Sequence, residues 1–402
     1  MSLFPLSVAL RWYISHGRLT VIDTAGRSHS FGHGDTRATI RLHDPRFKWR
    51  MLWASATEAG DGYVDGAFSI EEGTLRDYLE ILLISQERVQ ATPIGALRRL
   101  TGDTLRTHNN ARRSVRNVRR HYDIDHHLYE LFLDPDLQYS CAYWRDGVTS
   151  LDEAQEDKKR HIARKLVLKP GMTVLDIGCG WGGLAIHLAK EDGVVVTGVT
   201  LSVDQYETAA RRAREAGLAD RITFKLQDYR QETGRYDRIV SVGMFEHLGR
   251  RGFSEYFCKI RELLQPDGVA LIHTIARAGS PGGAHPWMQK HIFPGGYLPS
   301  LSQLAPLIEQ NGLWLTDHEP LRLHYARTLR AWDERFQANR AEVAAMFDER
   351  FCRIWEFYLQ GSEISFRHRR QAVFQLQLAK RIDTVPITRD YLYGDLREAT
   401  PD

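Results

Sequence analysis

The feature that most constrains the fold is the run Val174-Leu-Asp-Ile-Gly-Cys-Gly-Trp-Gly-Gly183. A short apolar segment enters it, glycines crowd its middle, and a helical pattern, LAIHLAKE, leaves it. Glycine tolerates positive φ and lets a ligand approach the backbone, so this reads as a strand turning sharply into a helix. The pattern then recurs. VVVTGVT is a second strand, with a helix over 203–216, and ITFKLQ is a third. YDRIVSVGMF is a fourth, followed by a helix near 252–264, and Gly268 opens a fifth, VALIHTIA. Strands alternating with helices predict an α/β fold: a doubly wound, mostly parallel sheet with right-handed crossovers and ligands at the carboxyl ends of its strands.

The rest of the chain is organised around that sheet. At 402 residues it exceeds one ordinary core. Residues 1–97 mix short β-like runs (RLTVIDT, RATIRLH) with the helical stretch TLRDYLEILLISQERV, which Thr74 and Asp77 are placed to cap. They read as a small α+β domain. Residues 98–120 read as a basic connector, and 121–402 as the domain built on the sheet. After the fifth strand the Gly/Pro-rich stretch ARAGSPGGAHPWMQKHIFPGGYLPS is long for a connector and suits a lid. A helix near 301–311, the strand-like LWLTDHEPL, a helical insertion over 326–360 and a last strand, AVFQLQLAK, follow.

Charge and composition narrow the partners. The net charge is +3, but residues 1–120 hold 18 Lys and Arg against 12 Asp and Glu. Eight arginines (98, 99, 106, 112, 113, 116, 119 and 120) face Asp103 alone. Such a belt attracts lipid headgroups or nucleic acid, or is a solvated face. No aromatics interleave with the basic residues, which disfavours nucleic acid. No apolar run is long enough to span a bilayer, and the first residues are too polar for a signal peptide. Four scattered cysteines form no metal or disulfide pattern, so no metal is expected and a cytoplasmic setting is.

The glycine run is GxGxGG preceded by an acid, Asp176, which departs from the usual dinucleotide fingerprint. It resembles motif I of the class I S-adenosylmethionine methyltransferases, where the loop lies under the methionyl part of the cofactor. Gly178 and Gly180 then give the close approach, and Asp176 acts beside the loop. The second strand ends in VTGVTLSVDQ without the acid that commonly binds ribose, leaving Thr200, Leu201, Ser202 and Gln205. The third ends in LQDYR, where Gln227, Asp228, Tyr229 and Arg230 are candidate adenine contacts.

Taken in order, HYDIDHHLYELFLDPDLQYSCAYW, LDIGCGWGG, VTGVTLSVDQ, LQDYR, SVGMFEHLG, LIHTIA, HYARTLRAW and FQLQLAKR resemble the cyclopropane-fatty-acid synthase family over about Asn117 to Arg381. The resemblance implies a Rossmann-like class I methyltransferase sheet with a helical insertion. It implies methyl transfer from S-adenosylmethionine to a cis double bond of a phospholipid acyl chain, with proton loss and ring closure. The extra N-terminal domain is similar to the lipid-recruiting domain of the phospholipid-acting branch. A protein peripheral at the inner membrane face, meeting an anionic phospholipid surface and forming a homodimer, is the corresponding expectation. Same-fold alternatives are a fatty-acid C-methyltransferase giving a methyl or methylene branch, and a lipid-binding protein without turnover.

Carried over by residue, Glu246, His273, Tyr325, Cys141 and the backbone of Ile275 match the family's cradle for a bicarbonate ion thought to act as base. Tyr139 and Ser140 match cofactor contacts. Each has a plainer reading: Glu246 as a helix cap, His273 as a satisfied core histidine, Cys141 as a small buried group. Relatives commonly carry a cysteine where this chain has Ser362, followed by Glu363. Glu363 is therefore expected either to enter the pocket and assist or replace bicarbonate, or to lie on the surface. Greasy membrane contacts are expected from Trp287, Met288, Phe293 and Tyr297 of the lid.

Overall fold

Apolar alternation in the first 42 residues builds a small sheet. A computed structural model describes residues 3–90 and 125–393; the eight arginines of the basic connector lie outside the described residues. In the N-terminal part, α1 (Leu6–Tyr13) precedes β1 (Gly17–Ile22), β2 (Ser28–His33) and β3 (Arg37–Leu42). Then come α2 (Phe47–Val64), β4 (Phe68–Glu72) and α3 (Leu75–Gln90). The sheet order is β2-β1-β3-β4, with β1 and β3 parallel and both outer pairs antiparallel. The anticipated strands are β1 and β3. At the start of α3 the Thr74 N–H donates to Asp77 Oδ2 at 2.8 Å and the Asp77 N–H to Thr74 Oγ1 at 3.1 Å, a reciprocal cap.

The large sheet follows the expected alternation. After α4 (His126–Phe132) and α5 (Leu151–Leu166) come β5 (Thr173–Ile177), α6 (Gly183–Glu191), β6 (Val195–Thr200), α7 (Val203–Glu215), β7 (Ile222–Leu226) and β8 (Tyr236–Val242). Next are α8 (Phe253–Leu263), β9 (Leu264–Arg277), α9 (Pro286–His291), α10 (Leu301–Gln310) and β10 (Trp314–Leu321). The chain ends with α11 (His324–Ala338), α12 (Arg340–Met346), α13 (Glu349–His368) and β11 (Gln371–Ala379). The seven strands are ordered β10-β11-β9-β8-β5-β6-β7. The registered pairs from β7 to β9 are parallel, and β10 runs antiparallel to β11. Val174, Leu175 and Ile177 of β5 are fully buried, as a central parallel strand requires. β9 opens at Leu264 rather than Gly268, because Leu264 already pairs with Tyr236 before the register shifts.

The described chain forms two compact units. One holds 3–90 with 282–294 and 329–371; the other holds 125–281, 295–328 and 372–393. The expected partition, with everything after residue 120 in one domain, differs from this. The helical insertion completes the N-terminal unit because its apolar faces bury there. α13 packs on α2 and α3, and Trp287 of α9 stacks at 4.4 Å on Phe357 of α13. Trp287 and Tyr297 are fully buried, so those two are not surface contacts of a lid; Met288 and Phe293 are partly exposed.

Candidate active site

The carboxyl ends of β5, β6, β7 and β8 open into one cleft, and the glycine turn explains why it exists. Gly178 has φ +81°, and a Cβ there would press within 3.0 Å of Met244. Gly180 has φ +54°, and a Cβ there would meet nothing within 4 Å. A side chain at 180 would therefore project into open space, which is how a cradle for a ligand is kept clear. Asp176 lies at the base, buried, with Oδ2 lacking a partner. Burial pushes its carboxyl up to about 7 against the pull of the Lys158 ammonium.

The flanking polar groups sort themselves by geometry. Tyr139, Ser140, Thr200, Leu201 and Gln205 line the cleft on one side, and Gln227, Asp228, Tyr229 and Arg230 on another. Thr200 Oγ1 donates to Gln205 Oε1 at 2.8 Å, so the end of β6 carries a neutral polar pair in place of an acid. Ser202, an expected contact, is instead the N-cap of α7 and accepts from the Gln205 N–H; it does not line the cleft. Its Oγ is occupied by the helix end it closes. Tyr229 is buried edge-on to Tyr256 with the Arg230 guanidinium over its ring.

Three lining or supporting residues were not anticipated. Trp181, between the glycines, donates through Nε1 to Asp204 Oδ2 at 2.9 Å and packs on Tyr129. His247 lines the cleft, and burial pushes its imidazole down to about 4. Lys158 is wholly buried, donating to Gln138 Oε1 at 2.6 Å and Ser140 Oγ at 2.9 Å. The signal for Lys158 was present but indirect. LDEAQEDKKRHIARKL is so polar that it reads as a surface helix, yet α5 buries most of its residues.

The second group of candidates gathers at the ends of β8 and β9. Val242 is in register with His273, and the Gly243 N–H donates to the His273 carbonyl at 2.9 Å. The Ile275 N–H donates to Glu246 Oε1. The backbone of Ile275, expected in the cradle, thus holds Glu246 through its N–H. Glu246 Oε2 has no partner, and burial pushes the carboxyl up to about 7. His273 is buried, with Nδ1 3.2 Å from the Gln375 amide and Nε2 without a partner. Burial first, then the Lys158 charge, push it down to about 3, so its ring is neutral.

Thr328 ties the segment carrying Cys141 to α11, which carries Tyr325. The Ala142 N–H and Trp144 Nε1 both donate to Thr328 Oγ1, at 3.1 and 3.0 Å. Tyr325 lies one turn before Thr328 on α11 and is buried. Burial raises the Cys141 thiol well above its ordinary range, so it stays protonated. The Lys158 ammonium acts on Cys141, Asp176 and His273 alike.

Glu363 behaves differently. It is buried, not exposed, but sits in the N-terminal unit. One oxygen accepts from Arg76 Nε and the other from Arg367 Nε, each at 2.9 Å, while Arg76 also holds Asp333 at 2.8 Å. The expectation of an unpaired carboxylate serving as base is not met, because both oxygens are neutralised by guanidiniums. Among the described residues no cluster suits a metal ion, and no helix is long and apolar enough to cross a membrane.

The family model described as mycolic acid cyclopropane synthetase matches residues 109–376. The chain belongs to this family. The cyclopropane-fatty-acyl-phospholipid synthase of Escherichia coli (strain K12) is 37% identical over 351 residues, covering 87% of this chain and 90% of that protein. The tuberculostearic acid methyltransferase of Mycobacterium tuberculosis is 36% identical over 367 residues, covering 87% and 85%. Among solved structures, a mycolic acid cyclopropane synthase complexed with SAH and CTAB superposes with a TM-score of 0.62 at 34% identity, covering 69% of this chain and 99% of that one. Membership fits the parallel sheet and the glycine cleft alike.

Proposed function

We propose that this enzyme methylates a cis double bond of an unsaturated phospholipid acyl chain and closes it to a cyclopropane, with loss of one proton. The observation that carries the reading is the pair of orphaned polar atoms at the ends of β8 and β9, Glu246 Oε2 and His273 Nε2. A buried polar atom without a partner is costly, so these atoms await a ligand.

The cleft fits S-adenosylmethionine, which when bound supplies an electrophilic methyl group. Gly180 leaves the space, and the unpartnered Asp176 Oδ2 meets the positive charge of the methionyl part. Tyr229, Asp228 and Gln227 take the adenine end, and Thr200 with Gln205 offers hydroxyl and amide groups to the ribose. Around the second group the chain excludes water, which a weak alkene nucleophile needs in order to react. The neutral His273, the protonated Cys141 and the Tyr325 hydroxyl are hydrogen-bond donors suited to an anion. With Glu246 they fit a bicarbonate ion, a proton acceptor when bound. A carboxylate beside an anion favours its own protonated form, and Glu246 is already displaced in that direction. Glu246 then donates through its acid proton while Oε1 stays anchored on Ile275.

Expression in a host lacking such an activity, followed by mass spectrometry of its lipids, tests the reading. Phospholipids heavier by one CH2 and carrying a ring are expected; unchanged lipids would rule it out. The 36% identity to a tuberculostearic acid methyltransferase favours one second reading, a branched product, which the same spectra separate by the absence of a ring. A peripheral position at the inner membrane face is part of the proposal.

A further inference from the structure

Two helices of the N-terminal unit turn aromatic side chains outward. Leu6 and Leu10 bury one side of α1, while Val8 and Trp12, spaced by four, are 59 and 48% exposed, and Phe4, just ahead of the helix, is 64% exposed. On α2, which packs beside α1, Phe47 is buried, but Trp49 and Trp53, also spaced by four, are 49 and 88% exposed. Three of the four exposed tryptophans among the described residues therefore stand on this one helix pair. Backbone angles at Ala54 leave the helical range (φ −132°, ψ 36°), so a kink follows directly after Trp53.

The charges around these side chains are mostly positive. Residues 1–20 contain Arg11 and Arg18 and no carboxylate; residues 45–57 contain Arg46, Lys48 and Arg50 and no carboxylate. The Lys48 ammonium stands 5.5 Å from the Trp49 ring centroid, and Arg50 is balanced by Glu58 at 3.1 Å. Tryptophan and phenylalanine beside Arg11, Arg46 and Lys48, with Asp44 and Glu58 both paired to Arg50, match the boundary between acyl chains and negatively charged headgroups. Neutral protein surfaces need no such bias, and exposed aromatics of this density are otherwise an aggregation hazard.

We infer that the α1–α2 face, through Phe4, Trp12, Trp49 and Trp53 with Arg11, Arg46 and Lys48, is the surface by which the protein inserts into an anionic lipid interface. The inference rests on the reading that the substrate is a phospholipid acyl chain. It replaces the buried Trp287 and Tyr297 as the apolar contacts. Interfacial insertion of three indole rings supplies the apolar term, and the cations supply attraction that salt weakens.

Co-sedimentation of the full chain with saturated phosphatidylcholine vesicles, with and without phosphatidylglycerol, tests this apart from catalysis, since no double bond is present. The Trp12→Ser/Trp49→Ser/Trp53→Ser variant is expected to partition roughly tenfold more weakly or worse. Arg46→Glu/Lys48→Glu is expected to lose the preference for anionic vesicles. Turnover of detergent-dispersed phospholipid is expected to persist in both. Should the triple variant fold poorly, Trp53→Ser alone, at the most exposed position, still lowers vesicle binding if the inference holds. Unchanged sedimentation of that variant overturns it. So does a change of oligomeric mass without a change of vesicle binding, which assigns the face to a second copy of the chain. Absence of turnover on dispersed lipid, with vesicle binding intact and sensitive to the tryptophans, upholds the docking face and counts against the catalytic reading instead.

Discussion

At the scale of single residues, the candidate site is a set of groups whose ordinary ionisation has been reversed by burial. Glu246 and Asp176 are carboxyls pushed up to about 7, and His273 is an imidazole pushed down to about 3. Glu246→Ala removes the acid proton that would meet the anion together with the Ile275 contact. It is expected to lower kcat about a hundredfold or more while leaving cofactor affinity, measured calorimetrically, nearly unchanged. In the unaltered protein, bicarbonate affinity is expected to fall as pH rises through 7, because Glu246 must keep its proton beside the anion. A pH-independent affinity would speak against that role. Gln375, 3.2 Å from His273 Nδ1, fixes which ring nitrogen faces the site. Gln375→Leu is expected to depress kcat with little effect on cofactor binding.

At the scale of elements, ion pairs decide what the helical insertion does. Arg76 of α3 binds Glu363 of α13 and Asp333 of α11 in a buried cluster. Breaking it by Arg76→Ala leaves Asp333 without its cation and Glu363 with Arg367 alone, and is expected to cost about 3 kcal/mol in chemical denaturation. Glu363→Gln is expected to lower the melting temperature yet leave kcat and bicarbonate dependence intact; loss of bicarbonate dependence would restore Glu363 to the chemistry. Thr74→Ala, which opens the reciprocal cap of α3, is expected to cost about 1 kcal/mol.

These elements also show what the chain reveals in advance. β5 to β9 were legible because central parallel strands are continuous apolar runs and glycines at 178, 193, 217, 234 and 243 punctuate most of the turns. The Glu246 and His273 positions were named through the family resemblance; Glu246 follows the end of β8, and His273 lies within β9 level with that end. The small sheet was half legible: SHSFGH of β2 has one buried residue and no apolar alternation to read. Lys158 was hidden by its helix, since a polar helix buried by polar partners has no apolar stripe. Glu363 was misread because one counter-charge, Arg76, is distant in sequence and only the fold brings it near, while the other, Arg367, stands one turn on along α13 and was overlooked.

At the scale of the whole molecule, burial sets the pH range of stability. Five described histidines, His187, His247, His273, His285 and His324, are pushed down by burial to about 4, 4, 3, 4 and 4. Depressed imidazoles stay neutral when folded but charge in the unfolded chain, so the unfolded state binds more protons as pH falls below about 6.5. Asp176 and Glu246 act oppositely, binding protons in the folded state between their ordinary values and about 7. The histidines, His318 among them, carry the balance together with carboxylates held low such as Glu319, so the melting temperature is expected to drop as pH falls from 6.5 to 4.5. A rise over that interval would show that the histidines are solvated.

The central claim is that methyl gain on the acyl chain is followed by loss of one hydrogen from that same methyl carbon. Purified protein given S-adenosylmethionine with a trideuterated methyl group, and a cis-unsaturated phospholipid, tests it by mass spectrometry and NMR of the product. A saturated three-membered ring retaining two deuterons is the expected result. A methyl branch retaining all three, or an exocyclic methylene, would contradict the account.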